Sequence, residues 1–291
     1  MLHSEFVQFK TLAIIGLGLI GGSIAKDIKR LGISNKILGY DKNPKYEKQI
    51  LSQNFVDYLG NFPDEKIIDA ELIILAVPVN SFEDVILELI PYISKSAIIT
   101  DVGSVKLPLI KLMNNPRYKN IRFVGGHPIA GSEYFGPSAA QEKMFTQKRL
   151  ILTPIQDSDQ EAIKIVSKFW QSLGALVSEM EPQSHDKLFA SVSHLPHLLA
   201  YASIQAICNS ESTNDVLKHS GAGLKDFSRI ASSSPEMWSD IFIANQKNLI
   251  PKIDIFKEVL NELEDCILKK DKKRLIQMLK ESKTERDRWM T

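Results

Sequence analysis

The segment Thr11-Leu-Ala-Ile-Ile-Gly16-Leu-Gly18-Leu-Ile-Gly21-Gly22-Ser23 places a G-x-G-x-x-G turn directly after a short apolar run and directly before a stretch of helical period. Few chain geometries need that order of residues. Gly16 permits a tight turn, Gly18 leaves space for the backbone to approach a pyrophosphate, and Gly21 lets the helix pack closely on the strand. The helix N-terminus then offers unpaired N–H groups and the positive end of a dipole to phosphate. Gly16, Gly18, Leu19, Ile20 and Gly21 together form the expected dinucleotide cradle.

Downstream, Asp41 closes the run Ile37-Leu-Gly-Tyr-Asp41. A carboxylate about 20 residues past the third glycine accepts hydrogen bonds from the adenosine ribose hydroxyls. It also repels a 2′-phosphate, so NAD is expected over NADP, with Lys42 beside it as an opposing charge. The competing reading is a structural turn with Asp41 as a solvated strand-end residue.

Around this turn, short runs rich in Ile, Val and Leu alternate with helical stretches, as in a parallel sheet built from βαβ units. Residues 12–15, 36–40, 72–76, 97–100, 121–124, 150–153 and 175–180 read as strands, and 23–31, 79–93 and 159–173 as helices. After about Pro182 the strand signals stop. The spacing of Leu188, Val192, Leu195 and Leu199 predicts one apolar stripe on a helix over 185–207, kinked at Pro196. Ile253, Phe256, Val259, Leu260, Leu263 and Ile267 mark another long amphipathic helix, and 275–279 a shorter one. The expected fold is α/β, a Rossmann-type doubly wound, mostly parallel sheet over 1–182, followed by an all-α domain over 183–291. A small helical domain with so much apolar surface often completes its core across a dimer interface.

Composition removes other classes. With 36 Lys plus Arg against 35 Asp plus Glu, no charge excess favours nucleic acid or an anionic membrane. Cys208 and Cys266 form neither a C-x-x-C pair nor a Cys/His cluster, which argues against a disulfide scaffold or structural zinc and for the reducing cytoplasm. Residues 1–10 lack the apolar core of a signal peptide, and the longest apolar run, 12–22, is too short to span a bilayer. A soluble, unexported protein is expected. Metal binding by His185, His194 and His197 is not expected, because no carboxylate completes a ligand set at a characteristic spacing.

Ligands of open α/β sheets bind outside the carboxyl ends of the strands. Two such loops carry polar groups, Asp101-Val-Gly-Ser104-Val-Lys106 and Gly125-Gly-His127-Pro-Ile-Ala-Gly131-Ser132-Glu133. His127, ordinarily titrating near ~6.5, suits a base acting near neutral pH, with Ser104 to orient it. Its neighbouring glycines favour a ligand site over a loop histidine bonded to backbone. Ser132 and Glu133 are placed to shape or gate the pocket. In the helical part, Ser193 and His197 point away from the apolar stripe, and His194 is expected to serve packing or an interface. Arg229 presents a planar fork for a carboxylate, or pairs with Asp226 three residues earlier, and both roles can coexist.

Taken together, Gly16 to Ser23, Asp101 to Lys106, Gly125 to Glu133, Ser193-His-Leu-Pro-His197 and Asp226 to Trp238 resemble the prephenate and arogenate dehydrogenase family of tyrosine biosynthesis over nearly the whole chain. The resemblance implies a cytoplasmic, homodimeric, NAD-dependent oxidoreductase of aromatic amino acid biosynthesis that converts prephenate to 4-hydroxyphenylpyruvate by oxidative decarboxylation. It implies that His127 takes the C4 hydroxyl proton and that Ser104 links His127, substrate and nicotinamide. Arg229 then binds a substrate carboxylate, His197 and Ser193 position the substrate, Asp226 holds Arg229, and Ser132 replaces the family's common threonine. Trp238 is implied to reach toward the partner subunit's site. No regulatory domain is expected after Thr291 and no fused mutase before Thr11, so that feedback by tyrosine would act near the active site.

Three alternatives stay open on the sequence. One is an arogenate dehydrogenase. Another is a β-hydroxyacid dehydrogenase, less similar because those enzymes rely on a lysine in the helical domain. The last is a non-catalytic NAD-sensing module, for which Ser104, His127 and Arg229 would be idle.

Overall fold

A strand buried on both faces reads as a continuous apolar run, and β1 (Phe9–Ile15) buries every residue except Lys10. Leu12 and Ile14 enter one core while Ala13 and Ile15 enter another, so β1 lies centrally in the sheet. The computed structural model describes residues 7–155 and 158–289. The first part of the N-terminal stretch judged for a signal peptide, and the terminal residues 290 and 291, lie outside the described residues.

After β1 come α1 (Leu19–Leu31), β2 (Ser34–Tyr40), α2 (Glu47–Gln53), β3 (Tyr58–Gly60), β4 (Leu72–Leu75), α3 (Phe82–Leu89), β5 (Ile98–Asp101), α4 (Leu107–Met113), β6 (Arg122–Pro128), β7 (Arg149–Thr153), α5 (Gln160–Ser172) and β8 (Leu176–Glu179). They form one sheet in the order β3-β2-β1-β4-β5-β6-β7-β8, parallel except where β7 meets β6. The chain order reverses between β1 and β4, which opens the crevice where ligands of such sheets bind. Residues of α1 and α5 cover one face, those of α3 and α4 the other.

Several elements differ from the sequence expectation. The pattern did not reveal β3, α2 and α4, which are too short for a period to register. The helix expected over 79–93 begins as a 3-10 turn, Val79–Ser81, and its α-helical part ends at Leu89. More consequentially, β6 does not stop at Val124. It leaves β5 there and continues beside antiparallel β7, pairing Gly125 with Thr153 and His127 with Ile151. His127 is thus a strand residue rather than a loop residue. Its neighbouring glycines serve the sheet: a Cβ on Gly125 would lie 2.4 Å from Thr153 Oγ1, and one on Gly126 2.9 Å from the Asp101 carbonyl.

Beyond the sheet the chain is helical: α6 (Pro182–Phe189), a π turn (Ala190–His194), α7 (Leu195–Ser210), α8 (Thr213–His219), α9 (Ala222–Ser228), α10 (Pro235–Ala244), α11 (Gln246–Leu268) and α12 (Lys272–Arg288). The helix expected over 185–207 is present as one uninterrupted helical run from α6 to α7, widened by the π turn in its middle. Pro196 directly follows the π turn, whose wider geometry accommodates its missing N–H inside the helix. The expected apolar face holds only in part, since Leu195 and Leu199 are half-buried but the first two residues of the stripe are not. Leu188 and Val192 are 43% and 59% exposed, whereas His185, Asp186, Phe189 and His194 are buried. Polar side chains tolerate burial when hydrogen-bonded, and these four positions include three that are.

By contacts the chain divides into two units, residues 1–245 and 246–291. The second consists of α11 and α12, tied by Arg274 and Glu262 at 3.5 Å, with Val259, Leu260, Ile267 and Leu279 exposed. Among the described residues no helix is long and apolar enough to cross a membrane.

Candidate active site

The glycine turn links the end of β1 to α1. Gly16 adopts φ +92°, and a Cβ there would lie 2.3 Å from the Ala76 carbonyl oxygen. At Gly21 a Cβ would stand 1.9 Å from the Gly16 carbonyl oxygen, so that helix and turn meet without a side chain between them. Gly18, by contrast, faces open space and caps α1 without a side-chain hydrogen bond, which leaves first-turn N–H groups for a ligand. Asp41 accepts the Leu17 N–H at 2.9 Å on Oδ2 and the Asn43 N–H at 2.9 Å on Oδ1, and retains lone pairs for hydroxyl donors. An uncapped helix start, an open glycine and a braced carboxylate fit a dinucleotide. Replacing Gly21 with Val should overpack the turn, cost about 1–3 kcal/mol in a denaturant titration, and abolish dinucleotide binding. Unchanged stability and binding would refute the packing role.

At the end of β5 the chain turns polar groups inward rather than toward a ligand. Lys106, 1% exposed, pairs with the fully buried Asp101 and donates to the Gly126 carbonyl at 2.6 Å. Asp101 also accepts the N–H groups of Gly103 at 2.7 Å and Gly126 at 3.0 Å. This pair locks β5 to β6 one residue before His127. Burial pushes the Lys106 amine below its ordinary range, against the pull of Asp101.

His127 is oriented by a group that the sequence reading did not assign to it. Ser104 is half-buried and makes no hydrogen bond to His127 among the described residues. Instead, His127 Nδ1 lies 2.8 Å from His185 Nε2, and His185 Nδ1 lies 2.8 Å from Asp186 Oδ1. Asp186 accepts the N–H groups of Lys106 at 2.8 Å and Leu107 at 2.9 Å at the start of α4. Phe189 packs on both rings. Burial, then the neighbouring His185, Lys106 and His194, push His127 well below the usual imidazole range. It is therefore neutral at pH 7. Adjacent His-Asp in an amphipathic helix was the only local signal for this constellation.

A second group gathers around His197. Its Nδ1 donates to the Ser193 carbonyl at 2.9 Å, and its ring stacks on Trp238 with centroids 3.6 Å apart. Trp238 is buried against this chain's own His197, Val105 and Ile241. Burial, with the charge of Arg229, lowers the His197 pKa. Arg229, its side chain 59% exposed, pairs with Glu133 at 3.2 Å. The expected pair with Asp226 does not form among the described residues, and Asp226 is exposed. Across that distance in sequence, Glu133 joins the loop after β6 to the helical region. Ser132 Oγ accepts the Tyr134 N–H at 3.2 Å and so shapes the loop that carries Glu133. His194, expected to serve packing or an interface, is buried against Asn245, whose amide lies 3.0 Å from its Nδ1. Among the described residues no group of three or more His, Cys, Asp or Glu is arranged to hold a metal.

Comparison with known proteins gives a consistent result. The model for the prephenate dehydrogenase nucleotide-binding domain matches residues 24–179, and that for the prephenate dehydrogenase dimerization domain matches 181–281. Cyclohexadienyl dehydrogenase of Zymomonas mobilis is 33% identical over 96% of this chain and 95% of its own length. Prephenate dehydrogenase of Bacillus subtilis is 32% identical over 95% of this chain and 75% of its own. Among solved structures, prephenate dehydrogenase of Aquifex aeolicus in complex with hydroxyphenyl propionate and NAD+ superposes with a TM-score of 0.86 at 35% identity, covering 97% of this chain and 98% of that one. Domain order, near-complete coverage and the shared architecture leave one conclusion: this chain belongs to the prephenate dehydrogenase family.

Proposed function

We propose that the protein oxidises prephenate at C4 with NAD and releases the ring carboxylate as CO₂, giving 4-hydroxyphenylpyruvate for tyrosine biosynthesis in the cytoplasm. The observation that carries this reading is His127 at the carboxyl end of β6, kept in its neutral, proton-accepting form by burial. When bound over Gly16 to Gly21 and Asp41, NAD supplies the hydride acceptor.

The chain supplies the rest. His127 accepts the C4 hydroxyl proton, which lets electrons move toward a carbonyl at that carbon. Ser104, half-buried in the turn after β5, hydrogen-bonds the substrate hydroxyl. Arg229 binds a substrate carboxylate in exchange for part of its contact with Glu133, whose 3.2 Å pair keeps the guanidinium in place before substrate arrives. His197, held by the Ser193 carbonyl and Trp238, presents Nε2 to the substrate. Aromatisation of the ring drives CO₂ loss, so positioning and one base suffice. The helical region from Pro182 onward carries the substrate contacts, and the exposed apolar residues of α11 and α12 support a homodimer formed through that region.

An assay supplying NAD with prephenate, arogenate or a 3-hydroxy acid, followed by nicotinamide reduction, tests the reading. Turnover of prephenate is expected. No turnover of either cyclohexadienyl substrate would overturn it. Arg229→Ala should raise KM for prephenate about 10- to 100-fold, the loss of a charged hydrogen bond, and leave KM for NAD unchanged. An unaltered prephenate KM would remove Arg229 from the substrate site.

A further inference from the structure

Between His127 and the start of α4 lies a continuous buried chain of donors and acceptors whose hydrogens can be assigned from one end. Asp186, as a carboxylate, only accepts, and its oxygens already take the N–H groups of Lys106 and Leu107. The 2.8 Å contact with His185 therefore requires a hydrogen on His185 Nδ1. Neutral His185 then has its lone pair on Nε2, and the 2.8 Å contact there requires a hydrogen on His127 Nδ1. His127 is left with its lone pair on Nε2. Two hydrogen bonds thus carry the choice made at Asp186 to the atom that meets the substrate.

We propose that His185 and Asp186 are positioning residues that hold His127 in the Nδ1–H tautomer and receive its proton during the reaction. This rests on the dehydrogenase reading above. The substrate O–H bond breaks as its proton joins His127 Nε2. Nδ1–H of His127 then breaks as its proton joins His185 Nε2, and the positive charge settles beside Asp186. Conversion of prephenate and NAD to 4-hydroxyphenylpyruvate, CO₂ and reduced NAD releases no net proton, so the same steps in reverse return the proton to the product's phenol oxygen. Burial lowers the pKa of His127 and His185 alike, so the charge rests there only briefly, and the Asp186 carboxylate, 2.8 Å from His185 Nδ1, is the counter-charge that offsets the penalty. Phe189 packs on both rings, and Asp101 pairs with the nearby Lys106.

Imidazole ¹⁵N NMR of the free enzyme tests the tautomer without any turnover. The expected spectrum shows His127 with a protonated Nδ1 and an unprotonated Nε2; a protonated Nε2 overturns the proposal. His185→Phe keeps the aromatic stack and the α4 contacts of Asp186 but removes the acceptor. It should redistribute the His127 tautomers and lower kcat about 100-fold or more, as misassigned tautomers do in histidine-based sites, with KM for NAD within about twofold. A folded His185→Phe enzyme with wild-type kcat overturns it as well. Asp186→Asn should act in the same direction, and if it fails to fold, the wild-type spectrum and His185→Phe decide alone. An enzyme with the expected spectrum that turns over neither cyclohexadienyl substrate refutes the reaction assignment and not the tautomer.

Discussion

His127→Asn should lower kcat for prephenate about 1,000-fold while NAD affinity stays within about twofold of wild type, since positioned general bases contribute roughly 10²–10⁴ to rate. Asparagine preserves size and a hydrogen bond to His185, but it accepts no proton. Because burial holds the wild-type imidazole below its ordinary range, activity at constant saturation should persist at pH values below ~6.5, where a solvent-exposed histidine would already be protonated. Steady-state kinetics across pH, together with a direct NAD titration, check both parts. A kcat within about threefold of wild type would show that the base lies elsewhere.

Asp101→Ala should cost about 3–5 kcal/mol of folding stability, the penalty for leaving a buried charge without its partner. Lys106 would remain in the interior with only the Gly126 carbonyl to receive its hydrogens, and the Gly103 and Gly126 N–H groups would lose their acceptor. Joint replacement, Asp101→Ala with Lys106→Met, should recover much of that loss, because an apolar pair removes the stranded charge rather than exposing it. Denaturant titration of the single and double variants measures the difference. Equal losses in both would mean that the hydrogen bonds to backbone, not the ion pair, hold β5 to β6.

Much of the sheet was legible because its strands are covered on both faces. Residues such as Leu12 to Ile15 and Leu72 to Leu75 then read as unbroken apolar runs, and the glycine turn between the first strand and helix is strictly local. The short elements β3, α2 and α4 left no period to read. On α6 and the π turn the apolar spacing of Leu188 and Val192 does not mark the buried side, which carries His185, Asp186 and His194 beside Phe189, held by hydrogen bonds that reach His127, the start of α4 and Asn245. Hydrophobic pattern assigns a face only when burial is driven by apolar area.

At the site, residue types were readable and partners were not. His127 and Arg229 stood out by chemistry, yet His127 meets His185 where Ser104 was expected, and Arg229 meets Glu133 where Asp226 was expected. Both observed partners lie far along the chain; strand-end position points to Ser104 and nearness in sequence to Asp226, and neither reveals a contact with a distant segment.

By itself the sequence determined the nucleotide turn, the α/β order and the family, because these rest on short-range backbone demands and on motifs in a set order. Only the tertiary structure decided what each functional side chain touches. The extension of β6 beside β7, the inward turn of Lys106 onto Asp101 and the burial of His185 with Asp186 all follow from packing between distant segments. Hydrogen-bond direction is fixed at such contacts, and no spacing along the chain encodes it.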